Sequence, residues 1–159
     1  MIKKKHLSKE KLLLKIASYC AYQDRCFSEI ETKLQEYDVS QEDKKELIDY
    51  LQDNNYLDET RFAKSVVRGK FNYKKWGRNK IKAFLFAKKI DSSDIELGLK
   101  EIKPQEYFLT LLNLAEAKKE KLAFKELDQF NEKQKLIAYL SQKGYEFDLI
   151  SNALQEIYQ

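Results

Sequence analysis

Glycine and proline are nearly missing from these 159 residues: four of one and one of the other. Hairpins, barrels and Gly-rich phosphate loops need chain-breakers at fixed places, so those architectures are excluded by supply alone. Histidine occurs once, at His6, and cysteine twice, at Cys20 and Cys26. A structural zinc wants four ligands, so neither a zinc site nor any other metal or cofactor is expected. The two cysteines, six positions apart, fit no redox motif and are expected to be reduced and structural. No apolar run nears the roughly 18 residues that cross a bilayer; Leu12-Leu13-Leu14 is broken at once by Lys15. Neither a membrane span nor a signal peptide is expected, which points to the cytoplasm. What the chain has in quantity is Lys, Glu, Leu and Gln, with 43% hydrophobic residues. That is too apolar for disorder and favours a folded, all-α protein.

An enzyme is not expected either. His6 lies in a basic tail with no nucleophile or orienting carboxylate to work with, and no G-x-x-x-x-G-K loop occurs. Carboxylate pairs such as Glu42-Asp43 fall in an acidic helical segment, where solvation explains them.

The net charge of +4 hides a strong asymmetry. Residues 1–28 carry +5, residues 29–59 carry −8, residues 60–90 carry +11 with no acid at all, and residues 91–159 carry −4. On an ideal helix Arg61, Lys64, Arg68 and Lys75 share a stripe, with Phe62, Val66 and Tyr73 on a neighbouring face as anchors to a core. Past Trp76-Gly77, Arg78, Lys82 and Lys89 continue the charge, and Lys80 and Lys88 belong to the same run. Uncompensated cations on one face repel one another, and a polyanionic partner relieves that repulsion. The other readings are a solvated face or docking against the acidic segment 29–59.

Self-alignment gives an organisation. At an offset of 55, residues 81–102 overlay 136–157 without a gap, with seven identities: Ala83, Leu85, Lys88, Ile95, Leu99, Glu101 and Ile102. At an offset of 51, Ile30, Leu34, Val39, Ile48 and Leu51 fall on Ile81, Leu85, Ile90, Leu99 and Ile102, while Lys44 stands where the other copies have Ile95 and Ile150. Each copy reads as two helices around a short turn, and Ser40 and Ser92 are placed to cap the second helix. A longer helix precedes each pair: Ser8 to Tyr22, Asp58 to about Tyr73, and Pro104 to about Leu122. The expectation is nine helices in three tandem three-helix repeats forming an elongated, curved rod. Its repeats are 1–55 with a basic N-terminal tail, 56–103 as the basic central unit, and 104–159.

The junction Asn55-Tyr56-Leu57-Asp58-Glu59-Thr60-Arg61-Phe62-Ala63 resembles the GYLDDERFA motif of the RecX family, regulators of the bacterial RecA recombinase, with Asn55 where that motif has Gly. Ser28 to Leu34 resembles the family's S-E-x-E-L-R-x-K-L segment. Gly77-Arg78-Asn79-Lys80-Ile81 and Leu85 to Ile90 resemble its G-P-x-x-I…L-x-x-K-G-I stretch, with Lys89 in place of Gly. The resemblance runs from about Leu12 to Ile157. It implies a non-enzymatic, cytoplasmic protein that binds the RecA filament on single-stranded DNA and limits filament extension, strand exchange and ATP hydrolysis; separately, a monomer is expected. The alternative from charge alone, with Phe71, Tyr73 and Trp76 interleaved among the cations, is a free-standing helical-repeat protein that binds DNA or RNA. The residues expected at the contact are Arg61, Lys64, Arg68, Lys75, Arg78, Lys80, Lys82, Lys88 and Lys89, with a direct but weak nucleic-acid contact allowed. Within the motif, Tyr56, Leu57 and Phe62 read as core, Asp58 as a helix cap, and Arg61 as either an ion-pair partner or a contact residue.

Overall fold

A computed structural model describes all residues from 1 to 159. Nine α-helices follow in three sets of three. The first set is α1 (Lys9–Tyr22), α2 (Phe27–Leu34) and α3 (Gln41–Asp53); the second is α4 (Glu59–Asn72), α5 (Arg78–Ala87) and α6 (Ser92–Leu99). The third is α7 (Pro104–Leu122), α8 (Gln129–Gln142) and α9 (Phe147–Ile157), with a 3-10 turn at Ala123–Lys125 after α7. The fold is all-α and built of tandem three-helix repeats.

Local chemistry sets the boundaries. Ser8, Ser40, Asp58 and Asp128 each stand before a helix and accept a backbone N–H from its first turn, at 3.3, 3.1, 3.0 and 2.7 Å. Pro104 opens α7, where its missing N–H leaves nothing unpaired. The expected cap Ser92 is instead the first residue of α6. Asp91 holds the position before it, and the Asp91 carbonyl accepts Ile95 N–H at 3.0 Å. The helix therefore starts one residue earlier than a cap at Ser92 would set. Asn55 and Gly144 close α3 and α8 in left-handed conformations, φ 61° and 102°. In both, the next amide reaches back five residues, Tyr56 to the Leu51 carbonyl and Tyr145 to the Leu140 carbonyl.

The repeat seen in the sequence is a repeat of burial. Ile30, Leu34, Ile48 and Leu51, then Ile81, Leu85, Ile90, Leu99 and Ile102, then Leu136, Leu140, Ile150 and Leu154 are all buried. Lys44, at the discordant position, is half-buried and gives its ammonium to Glu31 at 2.9 Å.

By internal contacts the chain forms two compact units, Met1–Ser65 with Phe86–Gly98, and Val66–Leu85 with Leu99–Gln159. In the first, Leu12, Ile16 and Cys20 of α1 meet Ile30, Leu34, Leu47, Ile48 and Leu51. The basic tail is tied to this unit: Lys5 exchanges backbone hydrogen bonds with Glu36 and Asp38, both 2.9 Å, and His6 lies 3.4 Å from Asp38. In the second, α7 packs on α8 and α9, and Tyr107, Leu111, Leu136, Leu140, Tyr145 and Ile150 are fully buried. No helix is long and apolar enough to cross a membrane.

Candidate nucleic-acid and partner interface

The motif at 55–63 is a knot of internal contacts in the first unit. Leu57 and Phe62 are each 4% exposed and Ala63 not at all; Tyr56 is half-buried against the α1–α3 core. Asp58 caps α4 through Arg61 N–H. The Glu59 carboxylate accepts Phe27 N–H at 2.8 Å, so a residue of α4 satisfies the open start of α2, where an anion is favoured. Burial lifts the Glu59 carboxyl above its usual range; the Phe27 bond opposes this, and Asp94 and Asp91 add to it. Thr60 donates to Asp94 at 2.6 Å. The Arg61 guanidinium settles on Asp24 (2.8 Å) and the Tyr56 carbonyl (3.3 Å), so its carboxylate partner is Asp24 rather than Asp58. Glu59, Asp91 and Asp94 line one open groove with Lys89.

The nine cations expected at an interface divide into two kinds. Arg61, Arg68, Arg78 and Lys88 face carboxylates: Asp24, Glu101 (3.5 Å), Glu146 (2.8 Å) and Glu29 (3.2 Å). Pairs this open contribute up to about 1 kcal/mol each, so a partner can compete for them. Lys64, Lys75, Lys80, Lys82 and Lys89 make no ion pair, and of these Lys75, Lys82 and Lys89 are exposed.

The proposed stripe is shorter than the sequence suggested. α4 ends at Asn72, so Lys75 does not continue the row of Arg61, Lys64 and Arg68. The Lys75 and Trp76 amides turn back to the Phe71 and Lys70 carbonyls and close the helix. That leaves Lys75 left-handed at φ 57°, with its carbonyl taken by the Tyr145 hydroxyl at 2.9 Å. Lys89 likewise lies past the end of α5, at φ 61°. Tyr73 does not anchor α4: it is 86% exposed, and the buried face is Phe62, Ala63, Val67 and Phe71. Lys75 lies past the true end of α4, whereas Tyr73, whose amide still bonds to the Gly69 carbonyl, falls off the row of Ala63, Val67 and Phe71.

Around Trp76 the second unit assembles a cluster the sequence showed only in part. Lys70 stands 4.7 Å from the Trp76 ring centre and 4.7 Å from that of Phe84, and Lys80 stands 4.5 Å from Trp76. The two rings meet edge to face at 6.0 Å. Such cation–π contacts contribute about 0.5–1 kcal/mol at exposed sites, and no carboxylate lies among the salt-bridge partners of either lysine.

The same unit holds a partly buried polar network with no sequence motif of its own. The Tyr107 hydroxyl accepts Arg78 N–H at 2.9 Å and donates to Glu146, which also receives Arg78 Nη1. Burial, then the Glu146 acceptor, hold that hydroxyl well above the usual tyrosine range. Beside it Gly77 N–H donates to the Lys143 carbonyl (2.8 Å) and Asn79 N–H to the Gly144 carbonyl (2.9 Å). A Cβ on Gly77 would stand 2.3 Å from the Gly144 carbonyl carbon. Two of only four glycines meet here, and that scarcity is the one hint the sequence carried.

The helix triplets and the motif at the α3–α4 turn together define a class, an all-α protein of tandem three-helix repeats. The comparisons agree. Family models for the second and third three-helix domains of RecX match residues 58–99 and 105–154. The chain is 40% identical over 107 residues to "Regulatory protein RecX" of Vibrio campbellii, covering 67% of this chain and 66% of that protein. It is 37% identical over 131 residues to that of Vibrio parahaemolyticus, covering 82% and 81%. A crystal structure of RecX from Lactobacillus salivarius superposes with a TM-score of 0.84 at 27% identity, covering 93% of this chain and 95% of that one. The chain belongs to the RecX family of regulatory proteins.

Proposed function

We propose that this protein is a negative modulator of the RecA recombinase. It binds the RecA filament on single-stranded DNA and inhibits filament extension, strand exchange and ATP hydrolysis, acting as a cytoplasmic, non-enzymatic monomer. The observation that carries the reading is family membership extending over both the second and third three-helix domains. The central repeat, residues 56–103, is the proposed contact region. Lys64, Lys75, Lys80, Lys82 and Lys89 supply uncommitted charge, while Arg61, Arg68, Arg78 and Lys88 join on exchange of an internal carboxylate for one of the partner's.

The test is a titration of this protein into RecA, single-stranded DNA and ATP. DNA-dependent ATP hydrolysis and strand exchange are expected to fall at substoichiometric amounts. An unchanged ATPase rate at saturating binding overturns the reading. The free-standing nucleic-acid-binding alternative is separated by comparing affinity for the filament with affinity for bare DNA at matched salt.

A further inference from the structure

We infer that Tyr73 and Trp76 form a stacking platform for the bases of a single-stranded nucleic acid, with Lys70, Lys74, Lys75 and Lys80 receiving its phosphates. This deepens the reading above by naming strand-contacting residues. It is tested without a recombinase, so either can fail alone.

Four observations converge. Tyr73 is exposed and serves no core, and residues 73–75, which open the link between α4 and α5, are all exposed. Trp76, three residues on, is half-buried and fixed by Phe84, so the ring is held in place rather than free to collapse. Two ammoniums already lie over that ring. A stacked base contributes more than an exposed cation–π contact, so a base can displace an ammonium, which then finds a phosphate beside it. Finally, the segment 60–90 holds no carboxylate, so nothing on it repels a phosphate backbone.

The type of cation favours nucleic acid over an acidic protein face. Arginine is the residue suited to forked recognition of carboxylates and is enriched at protein interfaces, where lysine is depleted. Here Arg78 is held by Glu146, and the cations around Trp76 are lysines, point charges suited to phosphates. Stacking is tolerant of sequence, which suits a segment whose charges are all positive.

Trp76 is the only tryptophan, so its emission reports this site and nothing else. The full chain is titrated with oligo(dT) of about 20 nucleotides, longer than one stacking site. Saturable quenching of Trp76 is expected. Binding of labelled oligo(dT), followed by anisotropy, should weaken about tenfold in Tyr73→Ser, the loss of one stacked base. That residue is exposed, so the variant keeps its fold. Lys70→Gln with Lys80→Gln should flatten the log–log salt slope by about 1.4, roughly 0.7 per phosphate contact on a single strand. The proposal is overturned if oligo(dT) does not bind, if it binds with Trp76 emission unchanged, or if Tyr73→Ser leaves affinity intact. Equal quenching by inorganic polyphosphate also overturns it, since that would make the site a charge patch without stacking.

Discussion

In the first unit the start of α2 meets the end of α5 mainly through side chains; in the second the start of α5 meets the end of α8 through backbone. The two joints are copies in sequence: Cys26, Phe27, Ser28 and Glu29 map on Gly77, Arg78, Asn79 and Lys80 at an offset of 51, and Lys88-Lys89 on Lys143-Gly144 at an offset of 55. In the first, Ser28 Oγ donates to the Lys88 carbonyl at 2.8 Å and the Glu29 carboxylate holds the Lys88 ammonium. In the second, the Gly77 and Asn79 amides donate directly to the Lys143 and Gly144 carbonyls. The amide after each helix start finds a partner from the following helix set, Glu59 for Phe27 and the Tyr107 hydroxyl for Arg78. One architecture is thus closed by two chemistries. Glycine allows backbones to touch; where it is absent, a hydroxyl and an ion pair span the wider gap.

The largest effect is expected at Gly77→Ala. The added methyl has no room against Gly144, so the second joint must open and lose its backbone bonds. A destabilisation of about 3 kcal/mol is expected. Urea unfolding followed by Trp76 emission reads the second unit, and reactivity of Cys20 and Cys26, both buried, reads the first. Trp76 should report the larger shift. Equal shifts would break the idea that the joints are separate.

Next is Tyr107→Phe, which strips Arg78 N–H of its acceptor and Glu146 of a donor; about 2 kcal/mol is expected. It also has a pH signature. The Tyr107, Tyr145 and Tyr158 hydroxyls are all raised, by burial first and then by a carboxylate, Glu146 for Tyr107 and Tyr145 and Glu132 for Tyr158. A raised folded-state value means the native state holds its protons longer. The stability is complete below about pH 10 and declines as pH rises further. All three lie in the second unit. Its urea midpoint should therefore fall as pH rises past about 10, and fall less in Tyr107→Phe. An identical pH dependence in that variant would remove Tyr107 from the account.

Ser28→Ala tests the first joint. It removes one hydroxyl bond to a carbonyl, worth about 1 kcal/mol, and thiol reactivity is the readout. A loss as large as that of Gly77→Ala would show the side-chain joint to be the more demanding of the two. The smallest change has the opposite sign. Lys89 is left-handed where the copy in the third repeat has Gly144, so Lys89→Gly relieves strain at the expense of unfolded-state entropy. A gain of about 0.5–1 kcal/mol in melting experiments is expected. No gain would mean that Lys89 has contacts which offset its backbone.

The sequence alone determined the helices and their grouping, because both rest on short-range chemistry. Apolar residues three and four apart mark a buried face, and Ser8, Ser40, Asp58 and Pro104 mark starts within one turn of themselves. It also placed Leu57 and Phe62 in the core, and it located the acid-free run, since charge can be counted without coordinates. Where a helix stops without Gly or Pro is different: α4 ends at Asn72 with the Lys75 and Trp76 amides turned back on it, and the freed Lys75 carbonyl meets Tyr145, seventy residues away in the chain. Extrapolated periodicity therefore carried Lys75 and Tyr73 onto faces they do not occupy. The partners of Arg61, Arg78 and Lys88 were likewise decided by tertiary structure, because a guanidinium or ammonium among many carboxylates chooses by distance, and distance between remote segments is set only when the helices pack.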